Sequence, residues 1–304
     1  MKKAKKKIVV TGGAGFVGSH LADALVEKGY EVHIVDISTC KKENINPKAF
    51  FHEADVRDKE KLIPILKNAD CVFHCAALPS VQYSIEHPVE TNDINVNGTM
   101  SVLMAAKEAG AKKIVYSASA GACGDQEKFP ADESMLPKPK SPYGLQKYIG
   151  EHLCRLWSEI HNLPAVSLRY FNVYGPRQSD VGAYASVIPI FLRQRKAGEE
   201  MTITGDGSVT RDFVHVKDVV RANILAMEND NLSKGEVINI GAGKETTVLE
   251  IAQIIGGPYK FIAPRIEPKR SLADISLAKK LLGWEPLVDF KSGIAELKKL
   301  AGLS

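Results

Sequence analysis

The sequence predicts a doubly wound α/β fold, a parallel sheet with helices on both faces, joined to a smaller C-terminal lobe. Three observations predict it. Apolar strand-length runs alternate with amphipathic helix-length stretches through the first half. A glycine-rich turn joins the first such strand to the first helix. After Arg169 the alternation gives way to shorter pieces broken by glycine and proline, among them Pro176, Gly182, Gly205, Gly207 and Pro258. The expected division is residues 1–170 as the sheet domain, rejoined by part of 212–241, with 171–304 mainly a second lobe.

In chain order, the expected strands are Ile8–Val10, Glu31–Asp36, Ala49–Glu53, Cys71–His74, Lys113–Ser117 and Ala165–Arg169. Each is a short apolar or β-branched run of the kind buried on both faces of a parallel sheet. Between them, helices are expected over Phe16–Lys28, Lys59–Leu66, Val89–Ala109 and Tyr143–His161, with Gly29 and Gly110 as C-terminal stops. Ligands of such folds bind beyond the carboxyl ends of the strands, so the second lobe should complete a cleft there.

The turn itself reads Thr11-Gly12-Gly13-Ala14-Gly15-Phe16-Val17-Gly18. Glycines between a strand and a helix let backbone N–H groups approach a pyrophosphate at the helix N-terminus, and Asp36 closes the next strand roughly 20 residues on, where a ribose ligand belongs. Asp36 accepts from both ribose hydroxyls and repels a 2′-phosphate. No arginine follows it directly, so NAD is expected rather than NADP.

A second cluster, Ser141-Pro142-Tyr143-Gly144-Leu145-Gln146-Lys147, opens a predicted helix. Tyr143 and Lys147 are four apart and project from one face. A nearby ammonium favours the phenolate, so Lys147 is expected to lower the Tyr143 pKa and make it a general base and acid.

Composition fits this reading. The 304 residues are 44% hydrophobic and 25% charged, ordinary for a soluble enzyme. No apolar run approaches the roughly 20 residues of a membrane span, and the N-terminus lacks the apolar stretch of a secretory signal, so no membrane partner and a cytoplasmic location are expected. The five cysteines, Cys40, Cys71, Cys75, Cys123 and Cys154, are an odd number without paired ligand spacing. No metal site is expected, and Cys71 and Cys75 read as a buried strand and its exit. Lys2, Lys3, Lys5, Lys6 and Lys7 supply more than all of the net charge of +4 and read as a solvated terminus rather than a nucleic-acid contact.

These clusters and several more stand in an order that resembles the extended short-chain dehydrogenase/reductases, in particular the nucleotide-sugar epimerase/dehydratase group and its UDP-glucose 4-epimerase-like members. The further motifs are Asp55-Val56-Arg57-Asp58, His74-Cys75-Ala76-Ala77, Asn95-Val96-Asn97-Gly98-Thr99, Ser117-Ala118-Ser119, Arg169-Tyr170-Phe171-Asn172-Val173-Tyr174-Gly175-Pro176-Arg177, Gly205-Asp206-Gly207, Arg211-Asp212-Phe213 and Leu282-Gly283-Trp284. The resemblance runs nearly end to end and implies a Rossmann-type domain with tightly bound NAD.

It also implies residue roles. Ser119, Tyr143 and Lys147 are the expected catalytic residues, with Ser119 bonding the sugar O4. The expected cofactor contacts are Gly12, Gly15, Phe16, Val17, Asp36, Asp55, Val56, Ala76, Ala77, Asn95, Ser117, Tyr143, Lys147 and Tyr170, with Asp55 and Val56 at the adenine. Beside Ser119 and Tyr143, the UDP-sugar substrate is expected to meet Ser80, Asn172, Val187, Arg211, Arg265 and Ser271. Guanidinium groups such as Arg211 and Arg265 suit a diphosphate, although the spacing from Arg265 to Ala273-Asp274 is one residue shorter than the usual pattern. Of the two strand-end serines, Ser117 is the expected holder of a purely backbone bond.

Related dehydratases and decarboxylases carry acids just after the catalytic hydroxyl, where this chain has Ala120 and Gly121. Plain 4-epimerisation through a 4-keto sugar is therefore the expected reaction. A one-way ketoreductase, a UDP-glucuronate enzyme or a non-catalytic dinucleotide sensor are the alternatives. The small Ser271 leaves room beside the sugar C2 for an N-acetyl group, and Cys123 stands where relatives usually have tyrosine. The helices over Val89–Ala109 and Tyr143–His161 pair between copies in the group, so a homodimer is expected.

Overall fold

The computed structural model describes residues 5–180, 182, 185–264 and 270–303. Its centre is a seven-stranded, wholly parallel sheet built from β1 (Lys7–Thr11), β2 (Glu31–Asp36), β3 (Phe50–Glu53), β4 (Cys71–His74), β5 (Ile114–Ser119), β6 (Ala165–Tyr170) and, later in the chain, β10 (Glu236–Ile240), in the order β10-β6-β5-β4-β1-β2-β3. The order reverses between β1 and β4. A crevice therefore opens above their carboxyl ends, the topological switch point at which ligands of such sheets bind.

Helices cover both faces, as the alternation predicted. On one side α1 (Phe16–Glu27) and α8 (Val216–Glu228) close an apolar layer containing Ile8, Val10, Leu21, Leu25, Ile34 and Phe73. On the other, α2 (Lys59–Leu66), α5 (Gly98–Glu108) and α6 (Pro142–His161) cover Val9, Val35, Val72, Ile114 and Tyr116. Successive strand residues alternate between the two layers, so β1 is apolar throughout. Gly29 and Gly110 take φ of +85° and +69°, the left-handed conformation expected of helix stops.

One predicted helix is not uniform. Val89–Ala109 is instead α4 (Pro88–Asn92), a π-helical turn over Asp93–Asn97, and α5, with the short α3 (Val81–Glu86) before them. The Thr99 hydroxyl donates to the Asn95 carbonyl at 2.6 Å, while the Asn95 amide is drawn to the backbone of Leu78. Wide turns of this kind recur at functional sites.

The rest forms a second layer over the crevice. Three short strands, β7 (Asn172–Tyr174), β9 (Thr210–His215) and β11 (Glu245–Thr247), make one small sheet, and β8 (Met201–Thr204) with β12 (Tyr259–Ile262) makes another. With α7 (Val187–Lys196), α9 (Val248–Ile255) and α11 (Phe290–Ala301) they enclose a separate core around Tyr174, Phe191, Ile203, Phe213 and Ile294. The remaining helix, α10 (Ser276–Leu282), packs beside β10 and α8. Trp284, fully buried, ties this end to α8 through an indole N–H donated to the Asp218 carbonyl at 3.0 Å. No described helix is long and apolar enough to cross a membrane.

Candidate active site

A cleft of about 2050 Å³ runs along the carboxyl end of the sheet beneath the second layer. Gly12, Gly15, Phe16, Val17, Asp36, Asp55, Val56, Ala76, Ala77, Ser117, Ser119, Tyr143, Lys147, Tyr170, Asn172, Val187, Arg211 and Ser271 all line it. Two predicted residues do not. Asn95 is buried, its amide tied to Leu78 and to Gln146 Oε1, so it shapes the loop after β4. Ser80 is buried as the N-cap of α3, while its neighbours Pro79 and Val81 face the cleft. Arg265 lies outside the described residues.

At one end the glycine turn is shaped for close backbone approach. Gly12 has φ +66°, and a Cβ there would stand 2.7 Å from the Ala76 nitrogen. A Cβ on Gly18 would stand 2.2 Å from the Gly12 carbonyl oxygen, so helix and turn touch backbone to backbone. α1 starts at Gly15 with no side-chain cap and no acid in its first turn. Its leading N–H groups therefore face the cleft with a helix dipole behind them, the arrangement that holds a pyrophosphate. Asp36 accepts from the Ala14 and Ile37 N–H groups at 3.0 and 2.9 Å, and burial raises its pKa despite those bonds. Asp55 is clamped by Arg57 through two guanidinium contacts of 3.0 and 2.7 Å, which keep its carboxyl below the ordinary value. These residues fit an adenine dinucleotide.

At the other end, β5 delivers Ser119 as its last residue and α6 delivers Tyr143 and Lys147. Ser141 caps α6 by accepting from the Gly144 N–H at 3.1 Å, and Pro142 occupies the first helical position, where its missing N–H costs nothing. Tyr143 and Ser119 stand side by side on the cleft wall, where a Cβ on Gly121 would lie 3.3 Å from Ser119 Oγ and 3.8 Å from Tyr143 Cδ1. The Lys147 ammonium donates to the Ser117 carbonyl at 2.8 Å.

The electrostatics correct one expectation. Burial raises the Tyr143 pKa, the neighbouring Ser119 hydroxyl opposing it, and Lys147 does not bring it down. Desolvation of a buried phenolate outweighs a cation whose proton is directed at a carbonyl. Burial also pulls Lys147 down to about 8. A second correction concerns the serines. Ser119 is the one that accepts a backbone N–H, from Gly121 at 3.1 Å, whereas the Ser117 hydroxyl meets Cys75 Sγ at 3.2 Å and the Tyr170 phenol at 3.1 Å. Tyr170 in turn donates to Asn223 on α8 at 2.9 Å.

Behind the site lies a buried polar chain that motif reading did not find. His74 Nδ1 meets Thr11 Oγ1 at 2.8 Å and Nε2 meets Thr99 Oγ1 at 3.0 Å. Because the Thr99 hydroxyl is committed to the Asn95 carbonyl, it accepts from His74 Nε2–H, which leaves Nδ1 to accept from Thr11. Burial depresses the His74 pKa to about 3, so the ring is neutral.

In the second layer the Arg211 Nη1 donates to the Thr210 carbonyl at 2.8 Å, and the Asn172 amide donates to the Asp212 carbonyl at 3.2 Å. Sequence reasoning missed Arg270, which lines the cleft, stacks 4.8 Å over Phe129 and pairs with both oxygens of Glu245 at 2.6 and 2.7 Å. Its position next to Ser271 was the available signal. Asp212 accepts from the N–H groups of Ala242, Gly243 and Ala273, which anchors the Ser271 loop to β9, and burial lifts its pKa to about 6. All five cysteines are free thiols, and among the described residues no group of three or more His, Cys, Asp or Glu is arranged to hold a metal.

A glycine turn over a switch-point crevice, with a half-buried serine and tyrosine and a buried lysine at its far end, defines a dinucleotide-dependent enzyme that moves protons at a hydroxyl or carbonyl carbon. The chain belongs to the NAD dependent epimerase/dehydratase family, whose model matches residues 8–241, and NAD is its cofactor. A Methanocaldococcus jannaschii protein provisionally named a UDP-glucose 4-epimerase is 43% identical over 297 residues, covering 94% of this chain and 95% of that one. The crystal structure of a UDP-glucose 4-epimerase from Thermotoga maritima with UDP-glucose is 40% identical with a TM-score of 0.90, over 97% of this chain and 99% of that one. A UDP-N-acetylglucosamine 4-epimerase from Methanobrevibacter ruminantium, in complex with UDP-N-acetylmuramic acid, is 37% identical with a TM-score of 0.92, over 98% of each chain. The chain is thus similar to nucleotide-sugar epimerases acting on different sugars.

Proposed function

We propose that the protein catalyses the 4-epimerisation of a UDP-hexose, UDP-glucose with UDP-galactose and, through the small Ser271, their N-acetyl counterparts. The observation that carries this reading is that Ser119 and Tyr143 stand side by side on the cleft wall, 3.3 and 3.8 Å from where a Cβ on Gly121 would be, with Ala120 and Gly121 rather than an acid following the serine. Elimination or decarboxylation chemistry has no extra proton donor there.

Ser119 holds the sugar O4, and Tyr143 removes its proton and later returns it. Lys147, one helical turn on, adds a buried cation to the site, its ammonium held on the Ser117 carbonyl at 2.8 Å. NAD, when bound, supplies the hydride acceptor and donor at C4. The 4-keto sugar turns over between the two transfers, which needs a loose sugar pocket with affinity placed on the nucleotide and diphosphate, and a cofactor held tightly through the cycle. Arg211, on the cleft wall, is the diphosphate ligand in this reading, joined by Asn172 and Val187. The apolar faces of α5 and α6 form a homodimer interface, where Met104, Leu145, Leu156 and Ile160 are exposed.

The test is incubation of the purified protein with UDP-galactose and, separately, UDP-N-acetylgalactosamine, without added cofactor, followed by chromatography. Conversion to the gluco epimers is expected. A requirement for stoichiometric NADH would replace the epimerase by a ketoreductase, and no conversion even with added NAD would remove the reading.

A further inference from the structure

We propose that Tyr116 is a positioning residue for Lys147, its ring face being the floor on which the ammonium rests and is kept charged. Tyr116 lies in the middle of β5, 1% exposed, with its ring centroid 4.9 Å from Lys147 Nζ. Opposite the ring, α6 carries Gly150 one turn beyond Lys147, and a Cβ there would stand 2.2 Å from the Tyr116 hydroxyl oxygen and 2.5 Å from Cζ. A glycine at this helix position therefore makes the slot into which the phenol fits. The slot lays the ring face under the lysine rather than its edge, and the negative face of an aromatic ring attracts a cation most where water is excluded.

The surroundings show why the ring is needed. The ammonium, 4% exposed, has the Ser117 carbonyl as its hydrogen-bond acceptor. Facing it are the Cys75 thiol beyond β4 and, further along α6, Cys154 and Glu151, with Tyr143 one turn back on the same helix. Burial holds the two thiols up at about 11 and about 12, so neither is an anion near neutral pH. Tyr143 is likewise held up, and neutral His74 on β4 adds no charge. Glu151 is bound through both oxygens by Arg169 at 2.7 and 2.8 Å. With desolvation already drawing Lys147 down to about 8, the carbonyl and the ring are its uncommitted partners among the described residues.

This rests on the role of Lys147 in the proposed reaction, so its test includes a readout independent of turnover. The lysines are labelled with 13C at Cε, the Lys147 resonance is identified by its loss in Lys147→Arg, and its titration is followed in the parent, Tyr116→Phe and Tyr116→Leu. The leucine variant should lower the Lys147 pKa by about one unit, a tenfold change in the ammonium-to-amine ratio. The alkaline limb of kcat should move with it at unchanged KM, while the phenylalanine variant, which keeps the ring, matches the parent. If Tyr116→Leu does not fold, Tyr116→Met, closer in volume, takes its place. An unmoved Lys147 titration in a folded ring-deleted variant overturns the proposal. A shifted titration in a protein that turns over no UDP-hexose upholds the positioning and overturns the reaction instead.

Discussion

Arg169 and Glu151 form a doubly hydrogen-bonded ion pair, with N–O distances of 2.7 and 2.8 Å, buried between β6 and the helix that carries Tyr143 and Lys147. Glu151 lies on the same helical face one turn beyond Lys147 and two beyond Tyr143, so this contact sets where α6 sits on the sheet. The free Arg169 Nη1 edge meets Cys123 Sγ at 3.7 Å, the residue that replaces the tyrosine expected from the family pattern. Burial raises the Cys123 pKa, so its thiol is an inert wall of the cleft.

Replacing Arg169 by alanine leaves Glu151 buried without a counter-charge and should cost about 3 to 5 kcal/mol of stability. The pair Arg169→Met with Glu151→Met should recover much of that loss. Urea unfolding of the single and double variants measures both, and additive losses would show that the two residues do not act as a pair.

Tyr143→Phe keeps the ring and removes the proton carrier. Turnover should fall by roughly two to four orders of magnitude while bound NAD, read from the absorbance of the purified protein, is unchanged. Activity within tenfold of the parent would end the proton-transfer role.

His74 makes stability depend on pH in a defined direction. In the unfolded chain it protonates near 6.5, whereas the folded ring stays neutral down to about 3. Between those values the unfolded state binds the extra proton, so this contribution is full above 6.5 and is lost as pH falls. Relative to His74→Gln, the parent should lose about 2 kcal/mol between pH 7 and 5. Parallel urea titrations of the two proteins at both pH values check it, and equal losses would place the acid sensitivity elsewhere.

Ser271 lines the cleft on a loop that Asp212 holds through the Ala273 N–H at 3.0 Å. Ser271→Tyr should fill the space beside the sugar C2, abolishing turnover of UDP-N-acetylgalactosamine by tenfold or more while sparing UDP-galactose. Comparison of kcat/KM for the two substrates decides, and equal losses on both would remove the gate.

Much of this was readable before any coordinates. The strands of the first half lie within a residue or two of their expected places because burial on both faces of a parallel sheet requires continuous apolar runs, and Gly29 and Gly110 end helices as left-handed glycines must. The same locality exposed Gly12, Asp36, Tyr143 and Lys147, since each stands on the cleft wall within a few residues of an element end. The π-helical turn at Asp93–Asn97 was not readable, and Asn95 within it bonds the backbone of Leu78, 17 residues earlier, a contact no local pattern shows. The Arg270–Glu245 pair, 25 residues apart, was missed for the same reason.

The residue order alone determined the sheet and helix pattern, the dinucleotide turn and the Tyr143–Lys147 spacing, since these follow from side-chain periodicity and short-range backbone geometry, whereas Ser119 entered through the family resemblance. Only the tertiary structure decided the charge states of the site. Whether Lys147 lowers Tyr143, which serine takes the backbone bond, and what keeps Lys147 an ammonium depend on how completely water is excluded and on where Tyr116, Ser117 and Gly150 meet. Desolvation is a property of the packed interior, which forms only when distant segments close over it.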